Sequence, residues 1–179
     1  MFLTYDAKSL HYTESHLRYL IQGSAIYLKE IVTKAVKIKA AVVGRDEKEQ
    51  GERSVLNFGH TIGHALEKLS NYTLLHGYAV AYGILVEANI SYLLDLLNSK
   101  ALLIIKKLLA QLGIYGKDLQ KYKPAEILQA TKIDKKVRLG KVHYTLLSDI
   151  SSIYINNGNY VHPVTDKIVK LAIKKTIKE

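Results

Sequence analysis

The fold is decided by residues 57–64, which read Asn57-Phe58-Gly59-His60-Thr61-Ile62-Gly63-His64. His60 and His64 are four residues apart, so on a helix both imidazoles lie on one face. A glycine precedes each ring, and glycine costs about 1 kcal/mol in a helix interior. Its use twice indicates a close approach by another backbone or a ligand. The pattern predicts a helix over 55–69 with one polar face.

The polar face extends towards the amino terminus, because Arg53 and Asn57 continue it at steps of four and three residues before His60. The spacing of His60 and His64 favours a metal site completed by a carboxylate from elsewhere in the protein. The stretch is not the H-E-x-x-H protease motif, because Thr61 stands where that motif has glutamate. A satisfied or surface role is the simpler interpretation of the other histidines, which are His11, His16, His143 and His162.

Helical periodicity covers most of the remaining sequence. Apolar residues at spacings of three and four predict a long helix over 24–43 and a third, mostly buried helix over 76–97. Ser99 is predicted to cap a helix over 100–112 that stops at Gly113, and Pro124 to open a short helix that ends at Ala130.

The carboxyl-terminal third is predicted to mix strands with one more helix. Residues 141–147 and 152–155 have the β-branched and aromatic character of strands and are expected to pair as a small ribbon. A basic amphipathic helix over 164–178 is expected to dock on the core rather than on a membrane. The fold class is therefore mainly α, with a small β-ribbon near 141–156, and residues 1–179 are expected to form a single helical domain.

Composition excludes several classes of protein. The 179 residues are 48% apolar, enough for a packed core, and the absence of cysteine excludes disulfides and thiolate metal sites. The formal net charge of +10 is spread along the chain, which makes nucleic-acid binding the weaker hypothesis. The start lacks a secretory signal and the uncharged run at 78–86 is too short to cross a bilayer, so a cytoplasmic location without membrane partners is expected. Neither G-x-G-x-x-G nor a P-loop occurs, so no nucleotide-binding half is expected in this chain.

A wider pattern runs through residues 39–80. It consists of Lys39, Val42-Val43, Asp46-Glu47, Glu49, Gly51, Arg53, Leu56-Asn57, Gly59-His60-Thr61, Gly63-His64-Ala65, Glu67, His76-Gly77 and Ala79-Val80. This pattern strongly resembles the C-terminal domain of 3-dehydroquinate synthase, as do the later Asp134-Lys135-Lys136, Gly140 and Leu146-Leu147.

The resemblance implies the helical C-terminal half of a two-domain enzyme whose N-terminal Rossmann-like domain, absent here, binds NAD. Such enzymes convert 3-deoxy-D-arabino-heptulosonate 7-phosphate into 3-dehydroquinate and phosphate in the shikimate pathway, which leads to the aromatic amino acids. They are NAD- and zinc-dependent lyases, zinc being replaceable by cobalt, and are typically homodimers. The substrate is a small anion, and this chain is expected to be inactive without the N-terminal domain.

The resemblance also implies roles for individual residues. His60 and His76 would bind the metal, whereas His64 would act near the substrate as an acid, a base or a hydrogen-bonding group, in contrast to the prediction from spacing. Glu49 would accept a proton. The remaining groups would hold the carboxylate, hydroxyls or phosphate of the substrate, and they are Lys39, Arg53, Asn57 and one of the pair Lys135 and Lys136.

The sequence departs from the family pattern in three places. The third metal ligand of the family is a glutamate in an A-E-[VIL]-[IL]-K segment that would align just before Met1. Tyr78 stands where the family has the glutamate of H-G-E-A-V, and Ser148-Asp149-Ile150 follows the Leu-Leu pair in place of the common I-G. Two alternatives therefore stay open: another sugar-phosphate cyclase of deoxy-inosose or valiolone type, and a non-catalytic helical module that binds metal or a partner.

Overall fold

A computed structural model describes residues 1–132, 137–138 and 141–179, and the described part is mainly helical, as predicted. The α-helices are α1 (Phe2–Tyr5), α2 (Ala7–Ser15), α3 (Leu17–Ile21), α4 (Ala25–Arg45), α5 (His60–Leu69), α6 (His76–Leu93), α7 (Ser99–Gln111), α8 (Pro124–Thr131) and α9 (Asp166–Ile177). Two 3-10 helices span Glu52–Asn57 and Gly116–Lys121. The strands are β1 (Val137–Arg138), β2 (Lys141–Tyr144), β3 (Leu147–Asp149), β4 (Ser152–Ile153) and β5 (His162–Pro163).

The prediction of one continuous helix over 55–69 is wrong. The chain forms a 3-10 helix over Glu52–Asn57 and restarts as α5 at His60. The break lies at Gly59, whose φ of +85° is left-handed and disfavoured for residues with a side chain. Arg53 and Asn57 therefore do not share a helical face with His60 and His64.

Helix α6 is the centre of the molecule. Its residues 85–91 are buried on every side, as the run of apolar residues predicted. Leu85 and Ala88 belong to one hydrophobic cluster, together with Phe58 and the buried face of α7. Val86 and Ile90 belong to a second cluster, which also contains Ile62 of α5 and the buried face of α9. The helix ends at Leu93, four residues before the predicted end.

The other predicted helices are confirmed with small changes at their ends. Helix α4 covers the predicted 24–43 region and extends to Arg45. The cap of α7 is Asn98 rather than Ser99, because the Asn98 side chain accepts a hydrogen bond from the Ala101 backbone N–H at 2.9 Å. Gly113 stops that helix in a left-handed conformation, and α8 begins at Pro124, as predicted.

The strands differ from the predicted ribbon in their partners. Segments 141–147 and 152–155 pair only where β3 meets β4. Strand β2 instead lies between β1 and β5, antiparallel to both. Helix α9 docks on the core through Val169, Ala172 and Ile173, which confirms the prediction for the terminal helix. Among the described residues, no helix is both long and apolar enough to cross a membrane.

Candidate metal and substrate site

The position of His60 is fixed by the start of α5. His60 is the first residue of that helix, and the preceding Gly59 turns the chain into it. Glu87 of α6 is fully buried and accepts hydrogen bonds from the backbone N–H groups of Gly59, at 2.6 Å, and Ile62, at 3.3 Å. A carboxylate at a helix amino terminus stabilises the helix because it satisfies N–H groups that lack partners within the helix. Glu87 thus holds the beginning of α5 against α6.

The two helices approach each other at glycines. A Cβ on Gly83 of α6 would lie 1.9 Å from the Gly59 carbonyl oxygen, and one on Gly63 would lie 3.1 Å from the Val80 Cα atom. Only glycine allows the first of these contacts. The prediction that Gly59 and Gly63 mark a close approach is confirmed, and the approaching backbone is that of α6.

Three imidazoles meet where α5 and α6 begin. The ring centroids of His60 and His76 are 5.4 Å apart, those of His60 and His64 are 5.7 Å apart, and those of His64 and His76 are 6.1 Å apart. His60 and His64 are half-buried, whereas the His76 side chain is 57% exposed. The helix pair therefore gathers both histidines of the spacing prediction and both of the pair implied by the family resemblance.

Glu67 adds a carboxylate to the three rings. One ligand atom from each of His64, Glu67 and His76 lies within 4.8 Å of the others, and Glu67 Oε1 is 3.1 Å from His76 Nδ1. The sequence analysis gave Glu67 no role. Its position three residues after His64 could have indicated one, because residues three apart on a helix lie next to each other. Reasoning from the sequence also missed Glu87, although Glu87 is the only charged residue within 77–94.

The donor atoms fit a divalent transition metal. Imidazole nitrogens together with a carboxylate suit Zn²⁺ and Co²⁺, and a catalytic site needs three protein ligands and one open position. His64, Glu67 and His76 bring one donor atom each within 4.8 Å of one another, and the His60 ring lies next to this group, with its centroid 5.4 Å from that of His76.

A pocket of about 370 Å³ lies beside His60. It collects all the predicted substrate-binding and proton-accepting residues of the first 60 positions, together with two apolar neighbours. Its lining residues are Met1, Lys39, Glu49, Arg53, Leu56, Asn57 and His60. The pocket therefore joins two cations, a carboxylate and an amide to the histidine cluster, which is a combination suited to a small polar anion.

The carboxylate of Glu49 is oriented by its neighbours. The Asn57 side-chain amide donates a hydrogen bond to Glu49 Oε1 at 2.7 Å, and Arg53 Nε lies 4.0 Å from Glu49 Oε2. Arg53 also donates to the Glu47 carbonyl oxygen at 2.8 Å. Asn57 and Glu49 thus form a unit through which the amide sets the direction of the carboxylate.

Asp46 holds the loop that carries Glu49 and Arg53. Its carboxylate accepts backbone hydrogen bonds from Arg53 at 3.0 Å, Gln50 at 2.9 Å and Gly51 at 2.8 Å. These hydrogen bonds, that from Arg53 above all, lower the pKa of Asp46 below its ordinary value because they favour the charged form. At the start of the same loop, the hydrogen bond from the Arg45 side chain lowers the pKa of Glu52.

The remaining residues singled out in the sequence lie away from this pocket or outside the described part of the chain. Lys135 and Lys136 lie outside the described residues, as do Asp134 and Gly140. Tyr78, on the first turn of α6, is 51% exposed. Of the variant segment 148–150, Ser148 and Asp149 belong to β3.

Comparison with known proteins identifies the family to which this chain belongs. The sequence model of the 3-dehydroquinate synthase C-terminal family matches residues 1–137. Over 154 residues, or 85% of the chain, the sequence is 35% identical to a 3-dehydroquinate synthase of Coxiella burnetii, of which it covers 43%. Over 147 residues, or 82% of the chain, it is 37% identical to the enzyme of Pyrococcus furiosus, of which it covers 41%. The chain thus spans less than half the length of these relatives.

Solved structures of sugar-phosphate cyclases share the fold. A 2-deoxy-scyllo-inosose synthase in complex with carbaglucose-6-phosphate, NAD⁺ and Co²⁺ superimposes with a TM-score of 0.73 at 25% identity, over 83% of this chain and 41% of that one. A 2-epi-5-epi-valiolone synthase from Streptomyces hygroscopicus, with NAD⁺ and Zn²⁺ bound, gives 0.77 at 21% identity, over 98% of this chain and 48% of that one.

Proposed function

Because the chain belongs to the 3-dehydroquinate synthase family, we propose that it is the metal- and substrate-binding part of such an enzyme. The reaction would convert 3-deoxy-D-arabino-heptulosonate 7-phosphate into 3-dehydroquinate and phosphate. The grouping of Lys39, Glu49, Arg53, Asn57 and His60 around one pocket is the observation that carries this proposal.

In the proposed site His60 and His76 bind a divalent metal, Zn²⁺ or Co²⁺. The resemblance assigns a further ligand to a glutamate upstream of the matched residues. When bound, the ion would act as a Lewis acid that lowers the pKa of a substrate hydroxyl to be oxidised. NAD, bound mainly by another domain, would take up the hydride from that carbon and return it later.

The cations of the pocket would bind the two anionic groups of the substrate. Arg53 suits the carboxylate, because a guanidinium can form two parallel hydrogen bonds with it. Lys39, on the exposed side of α4, would supply a second charge, and one of Lys135 and Lys136 a third. Fixing both ends of the substrate would hold the reacting carbons against the histidine cluster.

Two groups would move protons. Glu49 would accept one, because the hydrogen bond from Asn57 points its carboxylate in a fixed direction. His64 would exchange protons with the substrate from α5, because a histidine changes charge near neutral pH. Asn57 in this scheme binds the substrate and orients Glu49.

The resemblance also supports three proposals about the whole protein: that residues 1–179 fold as one helical unit, that the enzyme is a homodimer, and that it acts in the cytoplasm. A second candidate function is that of another sugar-phosphate cyclase. It is favoured by the likeness to the deoxy-inosose synthase structure, which holds a carbocyclic sugar phosphate.

The test combines metal binding with turnover. The chain would be mixed with a separately expressed amino-terminal part of a 3-dehydroquinate synthase that carries the glutamate of the A-E-[VIL]-[IL]-K segment. Tighter zinc binding and NAD-dependent phosphate release from the heptulosonate phosphate would support the proposal. Phosphate release from glucose 6-phosphate alone would favour the second candidate. If phosphate were released from neither substrate and zinc binding did not become tighter, both candidates would be contradicted.

Alanine variants separate the proposed roles of the histidines. His60→Ala and His76→Ala are each expected to reduce zinc occupancy severely, whereas His64→Ala should retain zinc but lose turnover. Equal loss of zinc from all three variants would contradict this division. His11→Ala, in an exposed position on α2, is the matched control and should change neither quantity.

A further inference from the structure

Glu67 contacts one ring of the histidine cluster, that of His76. Its Oε1 atom is 3.1 Å from His76 Nδ1, across the gap between α5 and the start of α6. The Glu67 side chain is only 17% exposed and therefore well anchored, whereas that of His76 is 57% exposed. Packing thus restrains the carboxylate more than the imidazole, and the hydrogen bond ties the more exposed ring to the anchored carboxylate.

The chemistry of the contact fixes where the proton is. An ionised carboxylate can only accept hydrogen bonds, so Nδ1 of His76 must be the donor. A neutral imidazole has one N–H group, and a proton on Nδ1 leaves the lone pair on Nε2. That lone pair is what a metal ion binds, and the same carboxylate–histidine–metal arrangement recurs in zinc proteins.

We propose that Glu67 is a positioning residue for His76: through Nδ1 it fixes the tautomer and direction of the imidazole so that Nε2 is presented to a divalent metal ion. The metal is that of the proposed function, on which this part of the inference rests. The hydrogen bond to His76 exists without it. Glu67 acts through His76 and need not touch the metal or the substrate.

The geometry favours positioning over direct ligation. Glu67 Oε1 lies 3.1 Å from His76 Nδ1, so the hydrogen bond directs the carboxylate to one ring nitrogen and leaves Nε2 for the metal. The histidine cluster supplies further nitrogens within reach, because the His60 and His64 rings lie 5.4 Å and 6.1 Å from the ring of His76.

The first experiment needs no metal. Nitrogen-15 NMR of the metal-free chain at alkaline pH reports which ring nitrogen of His76 carries the proton. We expect Nδ1–H in the unaltered chain and in Glu67→Gln, because the Gln side-chain oxygen still accepts a hydrogen bond. Glu67→Ala should shift the population towards Nε2–H. An unchanged tautomer in Glu67→Ala would overturn the proposal.

The second experiment titrates the same chains with Co²⁺ and follows its absorption spectrum. Removal of the hydrogen-bond partner of a ligating histidine weakens metal binding about 10- to 100-fold. We expect a decrease of this size in the Co²⁺ affinity of Glu67→Ala. The Co²⁺ affinity of Glu67→Gln should fall by less than about tenfold, because the Gln side chain keeps the hydrogen bond to His76 but lacks the negative charge of the carboxylate. Glu14→Ala, an exposed glutamate of α2, is the matched control and should bind Co²⁺ normally.

Each other outcome counts against the proposal. Equal loss of Co²⁺ from the Ala and Gln variants, with an altered spectrum in both, would mean that Glu67 is itself a ligand. Unchanged affinity in both variants, or no Co²⁺ binding by the unaltered chain, would remove its link to a metal. If the unaltered chain mixed with the amino-terminal part released no phosphate, while the tautomer and Co²⁺ results were as expected, the proposed function would be contradicted and the role of Glu67 would stand.

Discussion

Helices α4 and α6 are the two long helices of the site, and they are packed in opposite ways. In α6, residues 85–91 are buried without interruption. In α4, every residue of which the structure describes, Val42 alone is buried, and Leu28, Val32 and Val36 lie exposed at four-residue spacing along one face. Both segments are α-helical, over 21 and 18 residues, so helix formation by itself says little about what a helix contributes to the core.

The contrast extends to the functional groups that each region carries. The histidine cluster stands on α5 and α6, which are joined by the Gly83 contact and by the buried carboxylate of Glu87. Lys39 stands on α4, and Glu49 and Arg53 stand on a loop that is held by Asp46. The metal half of the proposed site is therefore positioned by the core, whereas the substrate half depends on surface hydrogen bonds.

The largest effect is expected where α5 meets α6. Gly83→Ala would place a methyl group 1.9 Å from the Gly59 carbonyl oxygen, which belongs to the backbone and cannot rotate away as the end of a flexible side chain could. We expect a loss of at least about 3 kcal/mol in the free energy of unfolding, measured by denaturant titration. Gly44→Ala in α4, where a Cβ meets nothing within 4 Å, is the control. It should be neutral or stabilise by up to about 1 kcal/mol.

The contrast is weakened if the two glycine variants unfold alike. Comparable stability of Gly83→Ala and Gly44→Ala would mean that the helices can separate without cost. The histidine cluster would then not be held by the core.

The same substitution in each helix gives the next largest difference. Val86→Ala removes methyl groups from a fully buried position of α6 and should cost about 2 kcal/mol. Val36→Ala, on a side chain that is 60% exposed, should change the free energy of unfolding by less than about 0.5 kcal/mol. Denaturant titration of both variants measures the difference. A cost at Val36 as large as that at Val86 would show that the outer face of α4 is covered in solution.

The smallest effect is local and depends on pH. The pKa of Asp46 is lowered in the folded chain, so its hydrogen bonds to the loop are complete above the ordinary carboxyl pKa of about 4. They are lost as the pH falls through the lower, folded value. Hydrogen-exchange protection of the Gln50, Gly51 and Arg53 amides should decrease over that range while the core amides stay protected.

Two variants sharpen the pH experiment. Asp46→Asn should abolish the pH dependence of protection in the loop, because its side chain does not ionise. Glu52→Gln, which removes a carboxylate bonded to Arg45, should leave the dependence in place. Loss of protection in the loop and the core together would instead mean that Asp46 supports the whole fold.

Prediction from the sequence succeeded where the signal was local. Helices α4, α6, α7, α8 and α9 follow from apolar spacing, and the stop of α7 at Gly113 and the start of α8 at Pro124 follow from backbone chemistry. The helix over 55–69 was wrong because the pattern of side chains continues through a break in the backbone. A glycine inside a periodic pattern leaves open whether it serves close packing or a left-handed turn, and Gly59 serves both.

The candidate site divides in the same way. The residue types at 39–76 were sufficient for the family resemblance, and the structure gathers Lys39, Glu49, Arg53, Asn57 and His60 around one pocket. The assignment of the metal to His60 and His76 stays a prediction. Glu67 and Glu87 were missed because their importance lies in partners 9 and 28 residues away, His76 and Gly59, respectively.

The sequence by itself determined that α4, α6, α7, α8 and α9 are helical, and it identified the chemically capable groups of residues 39–76. These properties depend on residues within a few positions of one another. The tertiary structure alone decided that the predicted polar face of residues 53–64 is broken at Gly59 and that β2 pairs with β5. It also decided that Glu87 holds the start of α5, that Glu67 faces His76 and that α4 stays exposed. Each of these depends on which distant surfaces exclude water together, a property of the whole packed chain that no local pattern encodes.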